Sequence, residues 1–128
     1  MSDSLFPPER GWFHKFRDAF RGLQAGSRRQ NSFAVHVPAA IAVIAVAAWV
    51  GVTRVEWCLL VACIFLVLTA ELFNSSLETL AKAIDRHYNP YLADGLNIAS
   101  AAVLLSSLGA VVVGLLVLGP RLYVLFWG

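Results

Sequence analysis

The stretch Val55–Glu78, VEWCLLVACIFLVLTAELFNSSLE, decides the fold. It begins as an apolar run, Val55 to Leu72, close to the roughly 20 residues that a helix needs to cross a bilayer. Out of that run come Glu71, Asn74 and Glu78, at spacings of three and four. A helix stacks residues so spaced on one face. A carboxylate in lipid costs about 3 kcal/mol or more unless it faces protein, water or a metal. Two carboxylates and an amide on one stripe at the membrane boundary are therefore read as a functional site.

Working outward, two further apolar stretches complete a three-span chain. The spans are placed at Phe33–Val52, Val55–Phe73 and Ile98–Leu118. Hydrophobic residues make up 59% of the 128 residues and charged residues 14%, against about 25% charged in soluble domains. The runs are continuous and rich in Ala and Leu, without the period-two alternation of a barrel strand. The fold class is thus all-α and integral to the membrane, in a single domain. No cleavable signal peptide is expected, because nothing before Phe33 resembles a short apolar core with a cleavage site.

Residues 1–8, with Pro7-Pro8, read as a disordered lead-in. Residues 9–30 read as an amphipathic interfacial helix. Trp12, Phe13, Phe16, Ala19, Phe20 and Leu23 form its apolar stripe, and Gly26-Ser27 is read as a break. Helices with spans follow at 33–52, 55–84 and 93–118. The second continues past the membrane surface through Leu77, Leu80, Ala81 and Ile84. Arg86-His87-Tyr88-Asn89-Pro90 is a loop, in which Pro90 biases Asn89 away from helical geometry. Small residues along the last helix, among them Ala99, Ala102 and Gly114, favour close packing.

Six of the ten Lys and Arg residues (Arg10, Lys15, Arg17, Arg21, Arg28, Arg29) precede the first span. The positive-inside rule then puts the N-terminus and the loop 82–95 in the cytoplasm, and Arg121 outside as an exception. Cys58 and Cys63, five apart within one span, do not stack on a helix face and are read as packing residues without a disulfide. His36 beside Pro38 is read as interfacial, and His14 and His87 as solvated.

Paired carboxylates on one face can hold a divalent cation and accept a proton, and an amide between them can hold a hydroxyl or phosphate oxygen. Phosphoryl transfer needs that equipment, since its catalysis is mostly positioning and charge stabilisation. No Walker loop, kinase glycine-rich loop, zinc motif or Ser-His-Asp pattern is present.

Glu71-Leu-Phe-Asn74-Ser-Ser-Leu-Glu78, followed by Ser100-Ala-Ala-Val103, resembles the signature of the prokaryotic diacylglycerol kinase family, small integral-membrane lipid kinases. Phe16-x-x-Ala19-Phe20-x-Gly22-Leu23 and Phe33-x-x-His36 resemble its undecaprenol kinase branch. The resemblance implies a homotrimer with three spans and one surface helix per subunit. It also implies active sites shared between subunits at the cytoplasmic face of a bacterial inner membrane. The implied activity is ATP- and magnesium-dependent phosphorylation of a lipid hydroxyl, with undecaprenol as acceptor and diacylglycerol as the alternative. No nucleic-acid partner is expected. By resemblance Glu71 matches the catalytic base, Asn74 the orienting amide and Glu78 the magnesium ligand. Glu71, Asn74 and Ser100 would meet the acceptor, and Glu78 and Asn97 the nucleotide.

The departures from the family pattern fall on named positions. A second metal-binding Glu is replaced by Gln30, which keeps an oxygen and loses the charge. A Lys-Asp pair before Ser-Ala-Ala-Val appears as Leu96-Asn97. An Asp four residues after Glu78 is Lys82, and Asp85, seven residues after Glu78, offers a partial replacement. Arg28, Arg29 and Lys82 offer positive charge to the donor's phosphates. Two other readings fit the same residues. One is a catalytically silent member that binds lipid or assembles with other membrane proteins, motivated by Gln30 and Leu96-Asn97. The other is a small transporter or channel subunit, which predicts carboxylates nearer mid-membrane.

Overall fold

A tight turn built on three adjacent residues sets the course of the chain. Gly51 adopts φ +74°, and its N–H and that of Val52 both bond the Ala47 carbonyl, at 3.0 and 3.3 Å. Only glycine enters that left-handed region without strain, so one helix stops here. Two residues later Thr53 starts the next. Its hydroxyl accepts from the Glu56 N–H, while the Glu56 carboxylate accepts from the Thr53 N–H, closing a capping box.

The computed structural model describes residues 11–29 and 33–128. Among these there are four helices and no strand: α1 (Trp12–Arg29), α2 (Phe33–Val50), α3 (Arg54–Ile84) and α4 (Pro90–Trp127). The expected lead-in over 1–8, Glu9 and Arg10, and Gln30 lie outside the described residues. The last three helices are each long and apolar enough to cross a membrane. At 1.5 Å per residue α3 is roughly 46 Å long and α4 roughly 57 Å, so both outreach a hydrocarbon core of about 30 Å. The chain is an all-helical membrane protein. Only 17% of the most apolar window of α3 and 6% of that of α4 is buried within the chain. So much outward apolar surface suits a lipid solvent and not water.

The helices differ from expectation in three places, each for a local reason. The helix does not break at Gly26-Ser27, because α1 crosses α3 closely there. Gly26 is buried, and a Cβ on it would fall 2.6 Å from Leu72 Cδ2. Glycine at this point serves close approach. The first span ends at Val50 instead of Val52, at the left-handed glycine. The last helix runs from Pro90 to Trp127, beyond the expected 93–118. Asn89 caps its start, extended at φ −133°, ψ 119°, with Oδ1 accepting from the N–H groups of Tyr91 (3.0 Å) and Leu92 (3.4 Å). At the other end Pro120 deletes only its own N–H bond, and the helix continues to Trp127.

α3 and α4 share the most extensive interface. The apolar core, Ala47, Val52, Leu60, Val117 and Leu118, sits at the end of the bundle near the α2–α3 turn. There Arg121 answers its own oddity. Its guanidinium pairs with Glu56, with Nε donating to Oε2 at 3.3 Å and Nη2 to Oε1, and its Nη1 donates to the Gly51 carbonyl at 3.3 Å. The charge that broke the expected topology pattern is neutralised by a partner and ties α4 to the turn. Cys58 and Cys63 are free thiols.

Candidate active site

The polar stripe lies toward the opposite end of α3 from this core. Glu71 is fully buried at 0% exposure, Asn74 is 6% and Ser75 5% exposed, and Glu78 is half-buried. Asn74 Nδ2 donates to Glu78 Oε1 at 3.3 Å, the i, i+4 contact that the spacing dictates. Leu72 beside the stripe meets Gly26 of α1. Asn74 and Leu77 line a cavity of about 350 Å³ with Ala99 and Ala102 of α4. Small residues on α4 thus bring its backbone close to the stripe.

Sequence reasoning missed one residue of the site. His36, read as interfacial, stands against Glu71, with Nδ1 2.8 Å from Oε1. This is an ion-pair distance without the alignment of a hydrogen bond. The imidazole is 25% exposed and the carboxylate 1%. On its other edge His36 Nε2 lies 3.4 Å from Ser107 Oγ of α4. A titratable residue inside a span was the available signal. Its partner was not, because α2 and α3 meet through the turn at Gly51 and not through any short spacing.

Three buried acceptors of the stripe have no hydrogen-bond partner among the described residues: both carboxylate oxygens of Glu71 and Asn74 Oδ1. Such groups carry the full cost of desolvation. They mark a place where a ligand's donors or a cation belong.

His36 and Ser107 are also the polar end of an otherwise apolar groove of about 410 Å³ between α2, α3 and α4. Val43, Leu60, Val67 and Leu118 are among its walls. A buried carboxylate at one end of a lipid-like trough suits a hydroxyl on a long apolar chain.

The other residues singled out in the sequence are dispersed. Arg28 is exposed in the last turn of α1, two residues past Gly26, and Lys82 is exposed in the last turn of α3. Asp85 caps α3 and is engaged in the loop, its Oδ1 accepting from the His87 N–H at 2.9 Å and lying 3.4 Å from His87 Nδ1. Asn97 and Ser100 are exposed on α4, whereas Ala99 between them is the buried position. Gln30 is outside the described residues. Among those described, no three His, Cys, Asp or Glu side chains are grouped to hold a metal unaided.

A family model described as prokaryotic diacylglycerol kinase matches residues 17–118. An undecaprenol kinase of Bacillus subtilis (strain 168) is 27% identical over 111 residues, 87% of this chain and 90% of the relative. A diacylglycerol kinase of Escherichia coli (strain K12) is 27% identical over 94 residues, 73% of this chain and 77% of the relative.

Proposed function

This chain belongs to the prokaryotic diacylglycerol kinase family, and we propose that it transfers the γ-phosphoryl group of ATP to the hydroxyl of undecaprenol. As a member it is a membrane lipid kinase with ATP as co-substrate. The choice of undecaprenol rests on the N-terminal motif through His36 and on the wider cover of the undecaprenol kinase match. Diacylglycerol is the alternative acceptor. We place the active site on the cytoplasmic side of the bacterial inner membrane, in a homotrimer, following the charge asymmetry and the family resemblance.

The observation that carries the mechanism is the fully buried Glu71, flanked by Asn74 and in contact with the histidine that ends the apolar groove. With the lipid chain in the groove, its hydroxyl comes to the unpartnered oxygens of Glu71. Glu71 takes the proton as general base. The freed oxygen bonds the γ-phosphorus while the bond from that phosphorus to the ADP oxygen breaks. Asn74 holds the acceptor or phosphate oxygen through the second N–H of its amide, the first being donated to Glu78.

Magnesium fits the donor chemistry. It commonly uses one or two carboxylates plus substrate phosphates, and Glu78 beside the unpartnered Asn74 Oδ1 offers a carboxylate and an amide oxygen. Bound there, it would neutralise charge on the donor phosphates. Gln30 and Asp85 are the candidates for further oxygen ligands. Arg28 and Lys82 are assigned to the donor's phosphates, and Asn97 to the nucleotide. Ser100 is assigned to the acceptor side.

The roles separate in kinetics. Glu71→Gln should lower kcat by about 10²–10⁴-fold, with the KM for ATP near that of wild type. Glu78→Ala should instead raise the magnesium and ATP concentrations required. Equal activity of wild type and Glu71→Gln would remove the base from the mechanism.

A further inference from the structure

We infer that His36 is the positioning residue for Glu71: its imidazole holds one carboxylate oxygen and leaves the other oxygen to the acceptor hydroxyl. The inference rests on the kinase reading above and gives His36 a role within it.

The burial of Glu71 creates the need for a partner. An ionised carboxylate that gives up its water is strongly disfavoured unless paired. Glu71 is 0% exposed, and among the described residues its one charged or titratable neighbour is His36. From its own helix, Asn74 turns its amide to Glu78. From α4, Ser107 reaches His36 and not Glu71. From α1, the close approach is Gly26 against Leu72. Among the described residues, the group set against the carboxylate is therefore the imidazole on α2.

Geometry assigns the two carboxylate oxygens different tasks. Oε1 lies 2.8 Å from His36 Nδ1, while Oε2 is buried with no partner among the described residues. A carboxylate held on one side by an imidazole presents its other oxygen in a fixed direction, which general-base catalysis requires. In the transfer step the acceptor O–H bond breaks and its proton goes to Oε2. The O–P bond forms as the P–O bond to ADP breaks. His36 gains and loses no bond in that step.

Ser107 completes the support. A hydroxyl both donates and accepts, so at 3.4 Å from Nε2 it suits either protonation state of the imidazole. His36 also lines the apolar groove, so the residue that orients the base stands where the lipid chain ends.

The test uses full-length protein in mixed micelles with undecaprenol, comparing wild type, His36→Ala, His36→Asn and Glu71→Gln. His36→Ala should lower kcat by about 10²-fold, the scale of a misplaced catalytic group, with the KM for ATP unchanged. Added imidazole should restore part of that loss in His36→Ala and none in Glu71→Gln. His36→Asn, which keeps an N–H near the Nδ1 position, should lose less than His36→Ala. A His36→Ala enzyme with wild-type kcat, or one whose loss imidazole leaves untouched, overturns the proposal while the kinase reading stands. Infrared difference spectra decide the pairing without reference to activity. The carboxylate stretching bands that Glu71→Gln removes from the wild-type spectrum should shift in His36→Ala. Unshifted bands in His36→Ala contradict the contact. If wild type transfers no phosphate, the kinase reading fails, and the infrared result still decides the pairing that the proposal requires.

Discussion

Replacing Gly26 tests whether α1 is seated on α3, the contact that fixes the surface helix beside the site. An ideal Cβ at Gly26 falls 2.6 Å from Leu72 Cδ2, about 1 Å inside the usual carbon–carbon contact of roughly 3.5–4.0 Å. The obstructing atom is the end of a flexible side chain. Relief by turning Leu72 off its rotamer costs about 0.5–1.5 kcal/mol. Helix propensity returns about 1 kcal/mol when Gly becomes Ala. The two nearly cancel, so Gly26→Ala should change stability by less than roughly 1 kcal/mol. Gly26→Val adds two methyl groups without the same propensity gain and should cost about 2–3 kcal/mol. In a Leu72→Ala background the obstacle is gone, and Gly26→Ala should stabilise by about 1 kcal/mol. The assay is SDS-induced unfolding in mixed micelles followed by circular dichroism, arranged as a double-mutant cycle. An equal effect of Gly26→Ala in both backgrounds would refute the contact.

Two further outcomes follow from the caps and the end pair. Asn89→Ala removes the acceptor for the Tyr91 and Leu92 N–H groups and should cost about 1 kcal/mol in the same unfolding assay, with Asn89→Ser recovering most of it. Arg121→Ala and Glu56→Ala each break the same ion pair, so the double variant should lose less than the sum of the two single losses. Strict additivity of the two losses would show that the pair is not formed in the membrane.

What the sequence made legible depended on the range of the interaction. The stripe Glu71-Asn74-Glu78 was readable because helical spacing alone puts those side chains together, and the Asn74–Glu78 contact is that spacing realised. The three spans were readable because hydropathy is summed over many residues. His36 was passed over because its meeting with Glu71 depends on how α2 folds back on α3, which no local pattern encodes. Gly26 was read as punctuation, since the sequence does not reveal that Leu72 lies across from it. Arg121 looked like an exception for the same reason, its partner Glu56 being 65 residues away. The end of α4 was placed at Leu118, the end of the apolar span, whereas the helix passes Pro120 with the loss of one bond and continues to Trp127.

The measurement closest to the central claim is transfer of labelled γ-phosphate from ATP–magnesium by purified wild-type protein in mixed micelles. Undecaprenol and diacylglycerol are offered separately and then in competition. The account predicts labelled lipid with undecaprenol preferred, and no labelled lipid of either kind from Glu71→Gln above about one-hundredth of the wild-type rate. Absence of transfer to either lipid at any magnesium concentration, from protein shown to be folded by circular dichroism, would contradict it.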